Sequence, residues 1–301
     1  MNWLTAALLA PAIYAIINFS DKYLLSKRFK HYQSLPLFTA TVGGLFGLIV
    51  FIVLGFPVLP FKDVSILLFI GIVTMLTQIL YFKALNEEEA SKIIILFQTL
   101  PLFSLLFAVV LLKQSLNSSQ ILPFFLIFCG AIIITTQSSR QKITISKAFF
   151  LILAYNFFWA ILGILVKFMS SNISFYVILS YEGLGLGIGG ILTFIFGGMF
   201  RNAFINSLKK MRPSTVSILV FNELLFVLSR SLSYFAFYLG PVALVSVLEN
   251  TQVLYGIIFG ALLTILFPSI IKEDITTKNL SKKIIAAVMV FAGVVLLNIS
   301  Q

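Results

Sequence analysis

Residues for catalytic and metal-binding chemistry are scarce in this chain. Only one cysteine, Cys129, and one histidine, His31, occur among its 301 residues. A single cysteine cannot form an intramolecular disulfide, and a single histidine in a basic segment cannot build a histidine-based metal cluster or catalytic dyad. The G-x-x-x-x-G-K-[ST] phosphate loop and the H-E-x-x-H zinc motif are also missing. These absences argue against an ATP-driven pump and a zinc protease, and we predict no enzyme activity, cofactor or bound metal.

Charged residues are also scarce, and this determines the class of protein. They make up 10% of the chain against 60% for hydrophobic residues, and the mean hydropathy is +1.08. A soluble domain of this size would not tolerate such a surface. The composition therefore predicts an integral, multi-pass membrane protein. No basic stretch precedes the first apolar run, so we expect that run to be retained rather than cleaved as a signal peptide.

Ten apolar runs are long enough to cross a bilayer core about 30 Å thick, which needs roughly 20 residues in a helix. They are Trp3–Ser20, Leu35–Leu54, Val64–Leu85, Ala90–Leu112, Gln120–Thr136, Ala148–Phe168, Phe175–Met199, Thr215–Leu239, Val242–Phe267 and Lys283–Ile299. The connections between them are short, so we expect the function to lie within the helices.

Lysine and arginine are concentrated in alternate connections, and this pattern predicts the orientation. The connections after the first, third, fifth, seventh and ninth runs, together with the ends of the runs that flank them, hold 17 of the 21 basic residues. Because basic loops are retained in the cytoplasm, we expect both termini to face outward from a plasma or inner membrane. Because most basic residues lie in these loops, we interpret the net charge of +11 as a signal of orientation and do not expect nucleic-acid binding.

The two halves of the chain resemble each other. An offset of 153 residues aligns Tyr81 with Tyr234 and Ala90 with Ala243. Duplicated helical halves are typical of secondary transporters. The pattern predicts a first five-helix repeat at 1–137, a basic connecting loop at 138–147 and a second five-helix repeat at 148–301.

Glycine and proline punctuate these runs. The motifs Gly43-x-x-x-Gly47, Gly183-x-x-x-Gly187 and Gly185-x-x-x-Gly189 place small residues on one helix face, which favours close and static packing over a sliding surface. Interruptions are expected at Pro101 and at Gly240-Pro241, where either a simple kink or a central site would explain them.

The stretches Tyr81–Ile134 and Tyr234–Leu297 resemble the signature of the EamA-type repeat in the drug/metabolite transporter (DMT) superfamily. The resemblance implies an all-α membrane protein with ten transmembrane helices, arranged as two inverted five-helix repeats around a central cavity. It departs from the family at Gln114, where an acidic residue is usual, whereas Glu273 keeps the acidic position. Family members usually place both termini in the cytoplasm, which conflicts with the orientation that the loop charges predict.

Four ionisable residues lie deep within the predicted spans. They are Glu182, Glu223, Arg230 and Glu249, all in the second half. A charge at the bilayer centre costs roughly 2.5–3.5 kcal/mol on insertion scales, and such residues often pair or line a transport pathway. Arg230 can therefore pair with Glu223 or Glu249. The three carboxylates exceed the one arginine, which also favours a proton-binding role, and Glu249 is our first candidate.

Neutral polar side chains accompany these charges within the same spans. The candidates for binding a solute are Tyr14, Asn18, Gln78, Gln98, Asn156, Trp159, Asn250 and Gln252. Single members of this set can equally bridge helices. The run from Glu249 to Gln252 is the densest polar stretch within any apolar span.

These features together predict a secondary transporter. Its partners would be the bilayer and a small metabolite, amino acid or drug-like solute, moved by alternating access and with possible proton coupling. Two alternatives stay open, a translocator of a lipid or lipid-linked headgroup and a membrane scaffold that transports nothing. Both a monomer and a homodimer are compatible with the sequence.

Overall fold

A computed structural model of the chain describes residues 2–103, 106–107, 118–139, 142–170, 172–239, 245 and 248–299. The helices are α1 (Trp3–Tyr23), α2 (Ser34–Val53), α3 (Phe61–Glu87), α4 (Ala90–Phe97), α5 (Ser118–Thr135), α6 (Lys147–Ser170), α7 (Phe175–Phe196), α8 (Gly198–Leu208), α9 (Pro213–Leu239), α10 (Gln252–Leu266) and α11 (Thr277–Ile299). The predictions made at Gln114 and at Gly240-Pro241 lie outside the described residues.

Seven of these helices are long and apolar enough to cross a membrane, namely α1, α2, α3, α6, α7, α9 and α11. Three shorter apolar helices cover Ala90–Phe103, Ile121–Thr135 and Gln252–Leu266. Each of the ten predicted runs overlaps one of these segments. The prediction of a helical, multi-pass membrane protein is confirmed, whereas two inverted repeats of five helices remain a proposal.

Two boundaries differ from the sequence prediction. The run predicted at Phe175–Met199 ends at Phe196, because Gly197 adopts φ −95° and ψ 76°, outside the helical region, and α8 starts separately after it. The connection predicted as a loop at 138–147 contains an antiparallel hairpin, in which β1 (Thr136–Ser139) pairs with β2 (Lys142–Ile145). Four residues per strand are too few to give a clear alternating pattern.

The chain divides into two compact units, each assembled from both sequence halves. Unit 1 comprises Met1–Lys27, Ala84–Asn156 and Leu224–Gln301, and unit 2 comprises Arg28–Lys83 and Phe157–Glu223. Within unit 1, α1 packs against α10 and α4, and α11 packs against α5. Small residues of α1 and α9, including Ala6, Ala10 and Ala236, form a fully buried contact that lets these helices approach closely.

Glycine faces hold unit 2 together. A Cβ added to Gly47 of α2 would lie 2.6 Å from the Cα of Gly183 on α7. The second glycine motif of α7 faces α3 instead, since a Cβ added to Gly185 would collide with the carbonyl oxygen of Leu68. The two overlapping motifs of α7 therefore serve two different neighbours, as the prediction of close packing requires.

Candidate functional site

The helix that begins with α4 is broken in unit 1. After Phe97 the chain turns at Gln98 and Thr99, and helix resumes at residue 100. Pro101 explains this break, because proline has no backbone N–H and the carbonyl of Phe97, four residues earlier, loses its helical donor. The last turn tightens, with the backbone N–H of Thr99 donating to the Leu96 oxygen at 3.0 Å.

Asn156 of α6 supplies the donor that Pro101 lacks. This side chain is only 1% exposed, and its Nδ2 lies 3.1 Å from the Leu96 oxygen, 3.2 Å from the Phe97 oxygen and 2.8 Å from Thr99 Oγ1. Irregular backbone at membrane depth is tolerated only where its polar groups find partners. Asn156 therefore stabilises the break in α4.

A second break precedes α10 in the same unit. The chain turns at Asn250 and Thr251 immediately before α10 begins at Gln252. The backbone N–H of Thr251 donates to the Leu248 oxygen at 3.0 Å, and its hydroxyl donates to the same oxygen at 2.6 Å. Gln252 Nε2 donates to Asn18 Oδ1 of α1 at 3.1 Å. A side-chain amide from another helix thus contacts this break too.

The two breaks occupy corresponding positions of the two sequence halves. At the offset of 153 residues, Thr99 aligns with Gln252. Thr99 contacts Asn156 from the first helix of the second half, and Gln252 contacts Asn18 from the first helix of the first half. Each half therefore provides the amide that contacts the break in the other. Interrupted helices at matching places in duplicated halves are characteristic of transporter binding sites.

Glu249 lies directly before the second break and is half-buried. Ser233 of α9 hydrogen-bonds to its carboxylate. The carboxylate oxygen Oε1 of Glu249 is buried and has no hydrogen-bond partner in the described part of the chain. Buried polar atoms are nearly always paired, and an exception calls for an explanation. This carboxylate can accept a proton or a donor group of a solute without breaking an existing bond to Oε1.

Arg230 and Tyr14 share an aromatic neighbour in unit 1. The guanidinium carbon of Arg230 lies 6.0 Å from the centre of the Phe226 ring, one helical turn away. Tyr14 of α1 meets the same ring edge-on, with centres 6.0 Å apart and planes at 69°. Ser229 Oγ donates to the Ala10 oxygen at 2.7 Å and fixes α9 against α1 here. The pairing of Arg230 with a carboxylate remains a prediction.

Unit 2 contains four of the predicted site residues. Gln78 lies on α3, Trp159 on α6, Glu182 on α7 and Glu223 on α9. The carboxylate of Glu223 approaches α2, where a Cβ added to Gly43 would lie 3.0 Å from Glu223 Oε1. The missing side chain at Gly43 thus leaves room for this carboxylate. The predicted set is divided between the units, with its other eight members in unit 1.

A buried ion network at the start of α4 was missed by the sequence analysis. Glu273, 4% exposed, accepts hydrogen bonds from Ser91 N at 3.0 Å and Ser91 Oγ at 2.5 Å. Lys283, 2% exposed, lies 2.9 Å from Glu273 and 2.5 Å from Glu89. A carboxylate at a helix N-terminus satisfies free N–H groups and interacts favourably with the helix dipole. Glu273 therefore acts as the N-cap that α4 does not supply from its own side chains.

Lys22 completes this corner from α1. Its Nζ donates to the Leu85 oxygen at 2.7 Å and the Glu88 oxygen at 2.8 Å. The last carbonyls of a helix lack internal donors and favour a cation. Lys22 thus stabilises the end of α3, as Glu273 stabilises the start of α4.

The segment that carries Glu273 is ordered by its own hydrogen bonds outside the spans. Thr276 donates to Asp274 Oδ1 from its hydroxyl at 2.7 Å and its backbone N–H at 2.9 Å. These two bonds hold the pKa of Asp274 below its usual value. The backbone N–H of Asp274 donates to Glu89 Oε1 at 3.0 Å, which connects this segment to the α3–α4 corner.

The apolar helices define a multi-pass membrane protein. The model of the EamA-like transporter family matches residues 1–136. This range is slightly less than half of the chain. The matched family is part of the DMT superfamily, and the match confirms the resemblance predicted for the first half. No curated protein matches the chain. The chain is also similar to a solved structure titled "Crystal structure of protein". The match covers 97% of this chain and 96% of that chain, with 14% sequence identity and a TM-score of 0.49, and is too distant to indicate function.

Proposed function

We propose that this chain is a secondary transporter that moves a small solute across a cell membrane by alternating access. Its ten apolar helices would form two inverted five-helix repeats. The observation that carries the proposal is the pair of matched helix breaks in unit 1, one of them beside the unpartnered Oε1 of Glu249.

The chemistry of the breaks suits a small polar solute. In a broken helix some backbone N–H and C=O groups are not paired within the helix, and transporters use such groups to bind substrates and coupling ions. Asn18, Gln98 and Asn250 add amides that both donate and accept hydrogen bonds. The Glu249 carboxylate adds a proton or cation acceptor. A metabolite, an amino acid or a drug-like cation would each match part of this set.

A scaffold without transport function fits Glu249 less well. An unpaired buried polar atom costs about 1–3 kcal/mol, which a structural role does not require. Cysteine introduced at position 249 in a Cys129→Ser background should react with a water-soluble maleimide if a solute pathway reaches it. A cysteine at 249 that stays unreactive in bilayers, while one at the exposed Lys272 reacts, would favour the scaffold.

The titration of Glu249 can be tested once a solute has been identified by thermal-shift screening. Glu249→Gln keeps the shape and the Ser233 contact but removes the titrating group. We expect a folded protein whose uptake in proteoliposomes is lost or no longer depends on pH when measured from about pH 5 to pH 8, because the group that could exchange a proton is gone. The control is Glu87→Gln, which neutralises an exposed glutamate at the end of α3, outside the candidate site, and should keep the wild-type pH dependence. Uptake with the wild-type pH dependence in Glu249→Gln would remove Glu249 from the mechanism.

A further inference from the structure

One end of unit 2 carries cations without any neighbouring acid in sequence. Since Gly47 packs beside Gly183 and Ala40 beside Gly190, α2 and α7 run antiparallel. The start of α2 and the end of α7 therefore lie at the same end. The segments there are 28–33 and 197–212, which contain no Asp or Glu. Their exposed cations are Lys30, Arg201, Lys209, Lys210 and Arg212, and we call these five residues the basic end of unit 2.

The segments that carry these cations are packed against the helices of unit 2. Phe204 of α8 packs against Phe38 of α2 with ring centres 4.4 Å apart, and against Phe194 of α7 at 6.0 Å. Gln33 Nε2 lies 3.6 Å from Met199 Sδ and joins the segment before α2 to α8. The basic end is therefore a defined surface, with α8 fixed across the ends of two apolar helices.

Large apolar side chains lie exposed beside the same cations. Phe196 is 82% exposed, Met199 61% and Leu208 54%. A short helix with apolar residues on its flank and Lys or Arg nearby is typical of segments that lie in the membrane interface. A water-soluble acidic partner would explain the cations but would leave a side chain such as Phe196 in water. The headgroup region of a bilayer accommodates both.

We propose that the basic end of unit 2 binds the phosphate headgroups of anionic phospholipids. This interaction is separate from solute transport. Each Lys or Arg close to an anionic membrane surface contributes about fivefold in affinity at moderate ionic strength. Because no carboxylate in these two segments competes for the cations, several of the five act on lipid together.

The test compares two pairs of lysines with equal charge. Lys209→Gln/Lys210→Gln removes two cations from the basic end. Lys272→Gln/Lys278→Gln removes two exposed cations from a segment of unit 1 that also contains Glu273 and Asp274. The full chain is placed in phosphatidylcholine bilayers that contain a small amount of spin-labelled lipid. The measurement is the association of spin-labelled phosphatidylglycerol with the protein surface, relative to that of spin-labelled phosphatidylcholine.

We expect the first pair to lower the selectivity for phosphatidylglycerol at least about fivefold and the second pair to leave it unchanged. Lys209→Arg/Lys210→Arg should retain it, and about 1 M salt should abolish it. Equal thermal unfolding in phosphatidylcholine would show that every variant folds. An equal loss of phosphatidylglycerol selectivity in both glutamine pairs would mean that net charge alone attracts the lipid. No loss in either pair would mean that these cations do not bind lipid and that a soluble partner is the better explanation. Both results overturn the proposal.

Discussion

The break in α4 makes a quantitative prediction about Asn156. Asn156→Ala removes the donor to the Phe97 oxygen, while Leu96 keeps its bond from the Thr99 backbone. The part-buried Phe97 carbonyl then loses this hydrogen bond, and such a loss costs about 1–3 kcal/mol in water-soluble proteins. Hydrogen bonds within membranes are worth less in measured cycles, about 0.6 kcal/mol on average. We therefore expect a loss of about 1–2 kcal/mol in the free energy of unfolding.

The physical cause can be separated from general damage by adding Pro101→Ala. Alanine restores an N–H at position 101, which can donate to the Phe97 oxygen within the helix. In the Asn156→Ala background this change should recover about 1 kcal/mol more than it gains in the wild-type protein. Unfolding of purified protein in mixed micelles, followed by tryptophan fluorescence, measures all four corners of this cycle.

The matched control is Asn222→Ala, which truncates a buried asparagine of unit 2 that is 7% exposed. Pro101→Ala should not rescue this variant. If Pro101→Ala changed the stability equally in the wild-type and Asn156→Ala backgrounds, the two residues would be independent. The assignment of Asn156 as the donor that replaces the proline N–H would then be wrong.

Three further predictions follow from packing, charge and loop composition. Gly47→Ala should lower the free energy of unfolding by about 2 kcal/mol, because the new Cβ would collide with the backbone of α7. The control Gly163→Ala, whose new Cβ meets nothing within 4 Å, should be neutral or stabilising. Equal melting temperatures for the two variants would contradict this prediction. Lys283→Met should cost about 3–5 kcal/mol by leaving its two carboxylates without their cation, and Lys278→Met should cost little in the same unfolding assay. A reporter fused after Gln301 should be active only in its extracytoplasmic form, and cytoplasmic activity would show that the loop charges gave the wrong orientation.

The positions of the apolar helices were predictable because a membrane span is a property of composition and length. The first break was predictable from Pro101, whose missing N–H acts locally. The second break has no proline at its turn, and Asn250 and Thr251 stood out in the sequence only as polar residues. The end of α7 at Gly197 was missed for a similar reason, since a glycine in an apolar run does not by itself terminate a helix.

The partners of the polar residues were not predictable. Glu249 was expected to be important, but its contact with Ser233 depends on how α9 is rotated. Glu273 and Ser91 are separated by 182 positions in the chain, and no local pattern joins a carboxylate in one loop to a helix start so distant. Hydrophobic periodicity determines which face of a helix is buried, whereas these pairings require the register between helices.

The exchange of asparagines between the halves has a consequence for biosynthesis. The ribosome releases α4 and its turn before α6 exists, so the Phe97 oxygen must wait for Asn156 until about 60 further residues have been made. During that interval translocon lipid or water has to occupy the place of the amide. A chain of residues 1–137 alone would lack the Asn156 amide permanently, so other donors would have to stabilise the break in α4.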